Sequence, residues 1–167
     1  APTTSTTVTM AYGDALAVGL MKRRGFSATD FRQFHPGGKL GGQLLAVAAV
    51  MKSGDDLPLV AATASARDVI TVMSQKNYGC AIVAAANGTL AGFISDGDIR
   101  RQALTDISMR TAADLMHSNP YTIPADALAA AALALMNQHA ITQLIVVDNQ
   151  TPVGLVRLHD ILRAGAA

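Results

Sequence analysis

The chain contains no glutamate: all 12 of its acidic residues are aspartate, so any reaction that needs a glutamate must draw it from outside this sequence. Cysteine is almost as scarce. The single Cys80 has no partner for an internal disulfide and no second thiol for a zinc site. Its place in the apolar run "CAIVAAA" marks it as a small core residue of a strand. Aromatics are few, with 4 Phe and 3 Tyr, the formal charge is +1, and "KRR" at 22–24 is the longest basic run. A nucleic-acid surface wants a basic patch and stacking rings, so nucleic acid is excluded as a partner. No apolar run approaches the roughly 18–20 residues of a membrane-spanning helix, and no charged, apolar and cleavage zones of a secretion signal open the chain. A soluble, cytoplasmic protein that meets no membrane is expected. The opening "APTTSTTVTM" also lacks an initiator methionine, and a piece of a longer protein is expected.

What is present suffices for a packed core, since 50% of the 167 residues are hydrophobic, too many for a disordered chain. Apolar residues from Thr4 to Arg24 recur near helical spacing, and "KRR" before Gly25 supplies cations in a last turn with a glycine after it. Ser27 and Asp30 have capping-box spacing, which predicts a short second helix to about Phe34, stopped by Pro36. The stretch "HPGGKLGG" at 35–42 leaves the backbone loosely constrained and is the natural domain boundary. It is a poor phosphate loop, because leucine follows its lysine where serine or threonine is required.

Beyond residue 45 the sequence repeats. Met51 aligns with Met116, Met73 with Met136, Gly92 with Gly154 and Asp98 with Asp160, at an offset drifting only from 65 to 62 residues. Each copy reads as a β-α-β-β-α unit. In the first, "SARD" opens a helix to about Lys76, "CAIVAAA" is a buried strand, "NG" at 87–88 a hairpin turn and "LAGFIS" the return. In the second, a helix from "DALAAAALALMNQ" precedes strand "QLIVV", turn "DNQ" and strand "VGLVR". The fold class is α/β (α+β), with two repeats completing one core through their sheets. Divisions at 1–45, 46–106 and 107–167 follow. The aligned methionines are expected as core fillers.

Copy one closes its last strand with Gly92, Ser95 and Asp98. A hydroxyl and a carboxylate at a strand-to-helix junction can receive a phosphate and the two hydroxyls of a ribose. The same side chains also suit plain helix capping, and both readings stand at this point. Copy two keeps Gly154 and Asp160 but has Arg157 where Ser95 stood. His117, His139 and His159 have no ligating spacing, so no metal is expected.

This element order, with Gly-x-x-Ser-x-x-Asp closing the first copy, resembles a pair of cystathionine-β-synthase-type (CBS) motifs over residues 46–164. The resemblance implies a compact module that binds adenine or other nucleotides between its copies. It implicates Asp98 and Asp160 as ribose ligands and Ser95 as a phosphate-side contact. Arg157 departs from the hydroxyl pattern, and would either pair with a phosphate or block its site.

The first 45 residues, with "GDALAV" and "HPGG" in order, resemble the end of the sugar isomerase (SIS) domain of D-arabinose 5-phosphate isomerases, as do "DGDIRR" and "HDILRAG" in the repeats. These enzymes interconvert D-ribulose 5-phosphate and D-arabinose 5-phosphate in the supply of the lipopolysaccharide sugar Kdo. By the same resemblance His35 belongs to the active site of the parent enzyme. Moving a proton between adjacent carbons needs a base and an acid, and an imidazole with an ordinary pKa near ~6.5 can serve as either. The family also uses glutamates and a lysine from an earlier part, so this chain alone is expected to lack isomerase activity and to need no cofactor. Its expected partners are a nucleotide or nucleotide-sugar, CMP-Kdo or an adenine nucleotide, the rest of the catalytic domain, and further copies of itself through the CBS pair. A purely oligomerising scaffold is the alternative.

Overall fold

The computed structural model describes residues 2–27, 30, 45–102 and 106–165. Helix α1 (Thr4–Arg23) ends as its composition requires: Gly25 takes φ +63°, and the Phe26 and Gly25 amides donate to the Met21 and Lys22 carbonyls at 3.0 and 3.1 Å, the paired bonds of a Schellman motif. All of its residues are exposed. Ser27 and Asp30 form their predicted reciprocal bonds, with the Ser27 amide donating to the Asp30 carboxylate at 2.7 Å and the Asp30 amide to the Ser27 hydroxyl at 3.2 Å. The rest of that predicted helix, with His35 and its glycines, lies outside the described residues.

A two-residue strand, β1 (Lys52–Ser53), precedes the first repeat. That repeat runs β2 (Leu59–Ala61), α2 (Ala66–Lys76), β3 (Cys80–Ala84), β4 (Leu90–Ser95) and α3 (Asp96–Gln102). A one-turn helix, α4 (Ala112–Leu115), leads to the second: β5 (Thr122–Pro124), α5 (Ala129–His139), β6 (Gln143–Asp148), β7 (Thr151–Arg157) and α6 (Leu158–Arg163). The β-α-β-β-α order therefore holds in both copies. Helix α2 begins with the expected capping box, Ser65 and Asp68 satisfying each other's amides, and both hairpins turn where predicted. At the first, the Asn87 side chain accepts from the Thr89 amide at 3.1 Å and Gly88 takes φ +82°. At the second, Asn149 and Gln150 both have positive φ, the twist a tight hairpin needs.

Two sheets result, ordered β2-β3-β4 and β1-β7-β6-β5, in which each repeat pairs its first two strands parallel and its last two antiparallel. They pack face to face through Leu57, Cys80, Ile82, Ile145 and Leu155. Strand β1 lies in the second repeat's sheet although its sequence precedes the first.

That misplacement belongs to a reciprocal exchange. Val47 and Ala48 donate to the Ala127 and Ala125 carbonyls at 2.8 Å, and Ala129 donates back to Leu45 at 2.7 Å. Around the other copy, Ala112 and Ala113 donate to the Ala64 and Ala62 carbonyls at 2.8 and 2.9 Å, and Ala66 donates back to Arg110 at 2.9 Å. Buried Val47 joins the second repeat's core, while Ala112 and Leu115 join the first repeat's. The aligned methionines complete the exchange: Met116 lies against Gly92 and Met51 against Gly154. The two glycines recur because a side chain there would meet the other copy's thioether.

The exchange also shortens one predicted helix. The "DALAAAALALMNQ" segment becomes helical only from Ala129, because Ala125 and Ala127 give their carbonyls to the incoming arm and Leu128 is held extended at ψ 141° beside Ala46.

Leu115→Ala should therefore destabilise the chain by about 2–5 kcal/mol and loosen the first repeat rather than its own. Denaturant melts would give the magnitude. Hydrogen exchange should show the largest loss of protection in residues 80–95; loss centred on 143–157 would refute the exchange. A methyl at Gly92 would lie 2.9 Å from the His117 carbonyl oxygen, whereas its counterpart at Gly154 presses hardest on the flexible Met51 end, with Val146 Cβ at 3.1 Å and the Lys52 oxygen at 3.2 Å. Gly92→Ala should accordingly cost the more of the two, about 1–3 kcal/mol, and only Gly154→Ala should be relieved by adding Met51→Ala, as paired thermal melts would show.

Candidate functional site

Strands β4 and β7 both run directly into short helices, and the register makes their ends equivalent. Cys80 pairs with Ser95 in one sheet as Gln143 pairs with Arg157 in the other. At the first junction Asp98 Oδ2 accepts from the Ser95 amide at 2.8 Å and the Ser95 hydroxyl at 2.6 Å, while the Asp98 amide donates to Ser95 Oγ at 3.2 Å. Arg101 pairs with Asp98 Oδ1, and His117 Nδ1, from the other copy, lies 3.4 Å from Oδ2. Burial pushes the Asp98 carboxyl up, but the bonds from Ser95 and then Arg101, with the electrostatic effect of His117, outweigh it and hold the group below its usual range. The predicted capping geometry is thus present, with the carboxylate ionised and facing the neighbouring copy.

The second junction is built differently. Arg157 reaches Asp160 with both ends of its fork, Nε to Oδ2 at 2.7 Å and Nη2 to Oδ1 at 2.9 Å. Its guanidinium carbon sits 4.7 Å from the centre of the Tyr78 ring, within cation–π range. The hydrogen bonds from Arg157 hold the Asp160 carboxyl low, with Lys52 adding to the effect, and the same bonds raise the Arg157 pKa. Burial pushes the Tyr78 phenol up, and Asp56 adds to the shift.

Beside Ser95 the two copies enclose a cleft of about 220 Å³. Phe93, Tyr121, Ile141 and Ile145 supply apolar walls, and Ser95, His117, Thr142 and Gln143 supply polar groups. Phe93 meets His117 edge-on with centroids 5.6 Å apart, and Tyr121 stacks on His139 at 4.0 Å. A flat apolar body with a polar end fits such walls.

Of the residues singled out from sequence, Ser95 lines this cleft, Asp98 stands behind it through Ser95 and His117, and Arg157 and Asp160 pair at the other junction. His159 is exposed. Sequence reasoning passed over His117 and Tyr121 because the repeat alignment does not say that 117–121 lie against the other copy's β4. The signal available was Met116 aligned to Met51, immediately before His117 and Lys52. Cys80 is a core residue as expected, its thiol pushed up to about 12 by burial. Among the described residues no group of His, Cys and Asp could hold a metal ion, and no helix is long and apolar enough to cross a membrane.

The family model for the CBS domain matches residues 47–104 and 112–167. The arabinose 5-phosphate isomerase KdsD of Pseudomonas aeruginosa is 44% identical over 99% of this chain and 52% of its own length. The same-named protein of Escherichia coli is 42% identical over 99% of this chain and 51% of its own. The chain thus spans about half the length of the curated relatives it matches. Among solved structures, CBSX2 in complex with AMP is similar at TM-score 0.61 and 25% identity, covering 71% of this chain and 94% of that one. The CBS domain of a bacterial CNNM/CorC family Mg²⁺ transporter in complex with ATP shares the fold, at TM-score 0.64 and 22% identity over 75% and 89%.

The Arg157–Asp160 pair makes a pH-dependent prediction. A carboxyl held low in the folded state contributes its stability in full above the unfolded value of about 3.9 and loses it as pH falls through the folded value. Asp160→Asn should cost about 1–3 kcal/mol at pH 7, and the penalty should shrink by pH 3. Urea midpoints of both proteins at the two pH values test this; an unchanged penalty would remove the charge from the account.

Proposed function

Because the chain belongs to the CBS domain family as a tandem pair, we propose that it is the ligand-binding regulatory module of an arabinose 5-phosphate isomerase, taking a ribonucleotide or nucleotide-sugar in the cleft beside Ser95. The observation that carries this reading is an apolar-walled cleft between copies lined by Ser95 and His117, with the Asp98 carboxylate directly behind both. A base would lie among Phe93, Tyr121 and Ile141. A ribose diol would donate to Asp98, and a phosphate or sugar acid would face Ser95 and His117. To receive the diol Asp98 must release Arg101, a cheap exchange because the Arg101 side chain is 71% exposed and exposed pairs contribute little. CBSX2, built on the same fold, holds AMP, and two relatives that match 99% of this chain are named arabinose 5-phosphate isomerases. In a longer protein the aldose-ketose chemistry would fall to the part that includes His35, with this pair as its sensor. Regulation then requires the ligand to bind one conformation of the full enzyme better than another. AMP and CMP-Kdo are the ligands we propose first, one an adenine nucleotide and the other a nucleotide-sugar end product.

A scaffold that pairs with a second copy is the second reading. It is favoured by exposed Leu59, Ile70, Leu128 and Leu162 and by the fact that Ser95 and Asp98 already satisfy one another.

Calorimetric titration of the chain with AMP, ATP and CMP-Kdo decides between them. Saturable binding of one ligand, weakened at least about tenfold in Asp98→Ala, is expected. A folded chain that binds none of the three would leave the scaffold.

A further inference from the structure

The two repeats offer two equivalent strand-to-helix junctions, each a place for a cleft between copies, and the register says which residues correspond. Ser95 corresponds to Arg157 and Asp98 to Asp160. Phe93 bridges to His117 as Leu155 pairs with Lys52, so His117 corresponds to Lys52. Counting back from Gln143 and Cys80 along the paired strands, Ile141 corresponds to Tyr78.

The clefts differ in what fills them. Beside Ser95 a small hydroxyl leaves open space. At the second junction Arg157 donates from Nε and Nη2 to the two oxygens of Asp160, at 2.7 and 2.9 Å, and lays its cationic carbon against the Tyr78 ring at 4.7 Å. A ribose diol would need those two oxygens, and a base would need the wall that Tyr78 occupies. One internal cation thus consumes both recognition elements.

The competition is unequal because Arg157 is tethered. A ligand in solution gives up translational and rotational freedom on binding, whereas the guanidinium is permanently at high effective concentration. It also forms the bidentate, charge-assisted geometry that is strongest between a cation and a carboxylate. Arg101 on Asp98 provides an internal contrast: it approaches only Oδ1, from a largely exposed position, while Oδ2 is held by the small Ser95 beside His117.

We propose that Arg157 is a built-in plug of the second cleft, so that the pair accepts one ribonucleotide, beside Ser95, and gains a second site when Arg157 is replaced by a small hydroxyl. The proposal rests on the nucleotide-binding reading above. It goes beyond that reading in assigning the stoichiometry to one side chain.

The test is titration of the whole chain with AMP in four forms: wild type, Asp98→Ala, Arg157→Ser and the Arg157→Ser, Asp98→Ala double variant. Serine at 157 can take up the capping bonds that Ser95 makes to Asp98, and circular dichroism checks the fold. Expected at wild-type affinity are one site, none (any residual binding weakened at least about tenfold), two, and one. Two sites in the wild type, or one site in folded Arg157→Ser, would overturn the plug. Absence of binding by the wild type would sink the nucleotide reading, while the plug would still stand or fall on whether the double variant gains a site. A measurement on the unaltered protein guards against a variant that does not fold. At saturating AMP the Arg157 Nε–H resonance should stay in place while those of Ser95 and His117 move. Displacement of the Arg157 signal as the ligand loads would overturn the proposal.

Discussion

The structure depends on one exchange. The segment before each repeat hydrogen-bonds to the other repeat's helix entrance and delivers apolar side chains to the other's core: Val47 and Met51 in one direction, Ala112, Leu115 and Met116 in the reverse. Each sheet is small, and three or four short strands with one long helix bury too little on their own. The arms add the missing layer, the face between the sheets joins the halves, and Gly92 and Gly154 stay bare to admit them. The cleft beside Ser95 is a by-product of this arrangement, since residues 117–121 reach β4 only because α4 is anchored in the first core.

The near-symmetry of that scaffold makes its one conspicuous asymmetry chemically meaningful. Both junctions hold an aspartate three residues into the turn, and both aspartates are held ionised. At one the partner is a hydroxyl that leaves room; at the other it is a guanidinium that fills it. Gln143 touches both sides of this difference: it lines the open cleft and donates to the Tyr78 carbonyl beneath the filled one.

Much of this was legible because it is local. A capping box needs only two residues at fixed spacing, so Ser65 with Asp68 and Ser27 with Asp30 were readable directly. Hairpin turns were equally readable from Asn87, Gly88 and the "DNQ" run. The exchange was not legible, because aligning Met51 with Met116 establishes that the two segments are alike without saying which core each enters. The late start of α5 has the same origin: its alanine-rich sequence favours helix from the outset, and tertiary hydrogen bonds to Val47 and Ala48 override it for one turn. At the site, sequence offered two roles for Arg157, phosphate partner or obstruction. Its bidentate grip on Asp160 and its position over Tyr78 are facts of side-chain direction that no spacing rule contains. Ser95 and Asp98 were recognisable from their motif; His117 was not, because its contact with them crosses between repeats.

The crossed arms carry a consequence for synthesis. A chain emerging from the ribosome has all the strands of its first sheet once residue 95 is out, yet that sheet's core still lacks Ala112 and Leu115. The first half must therefore wait, with Val60, Val83 and Ile94 incompletely covered, until some twenty further residues have followed. Val47 meanwhile waits for a helix that ends only at His139. The first half can close only once residue 115 has followed, and Val47, made first of these residues, waits longest for the core it enters.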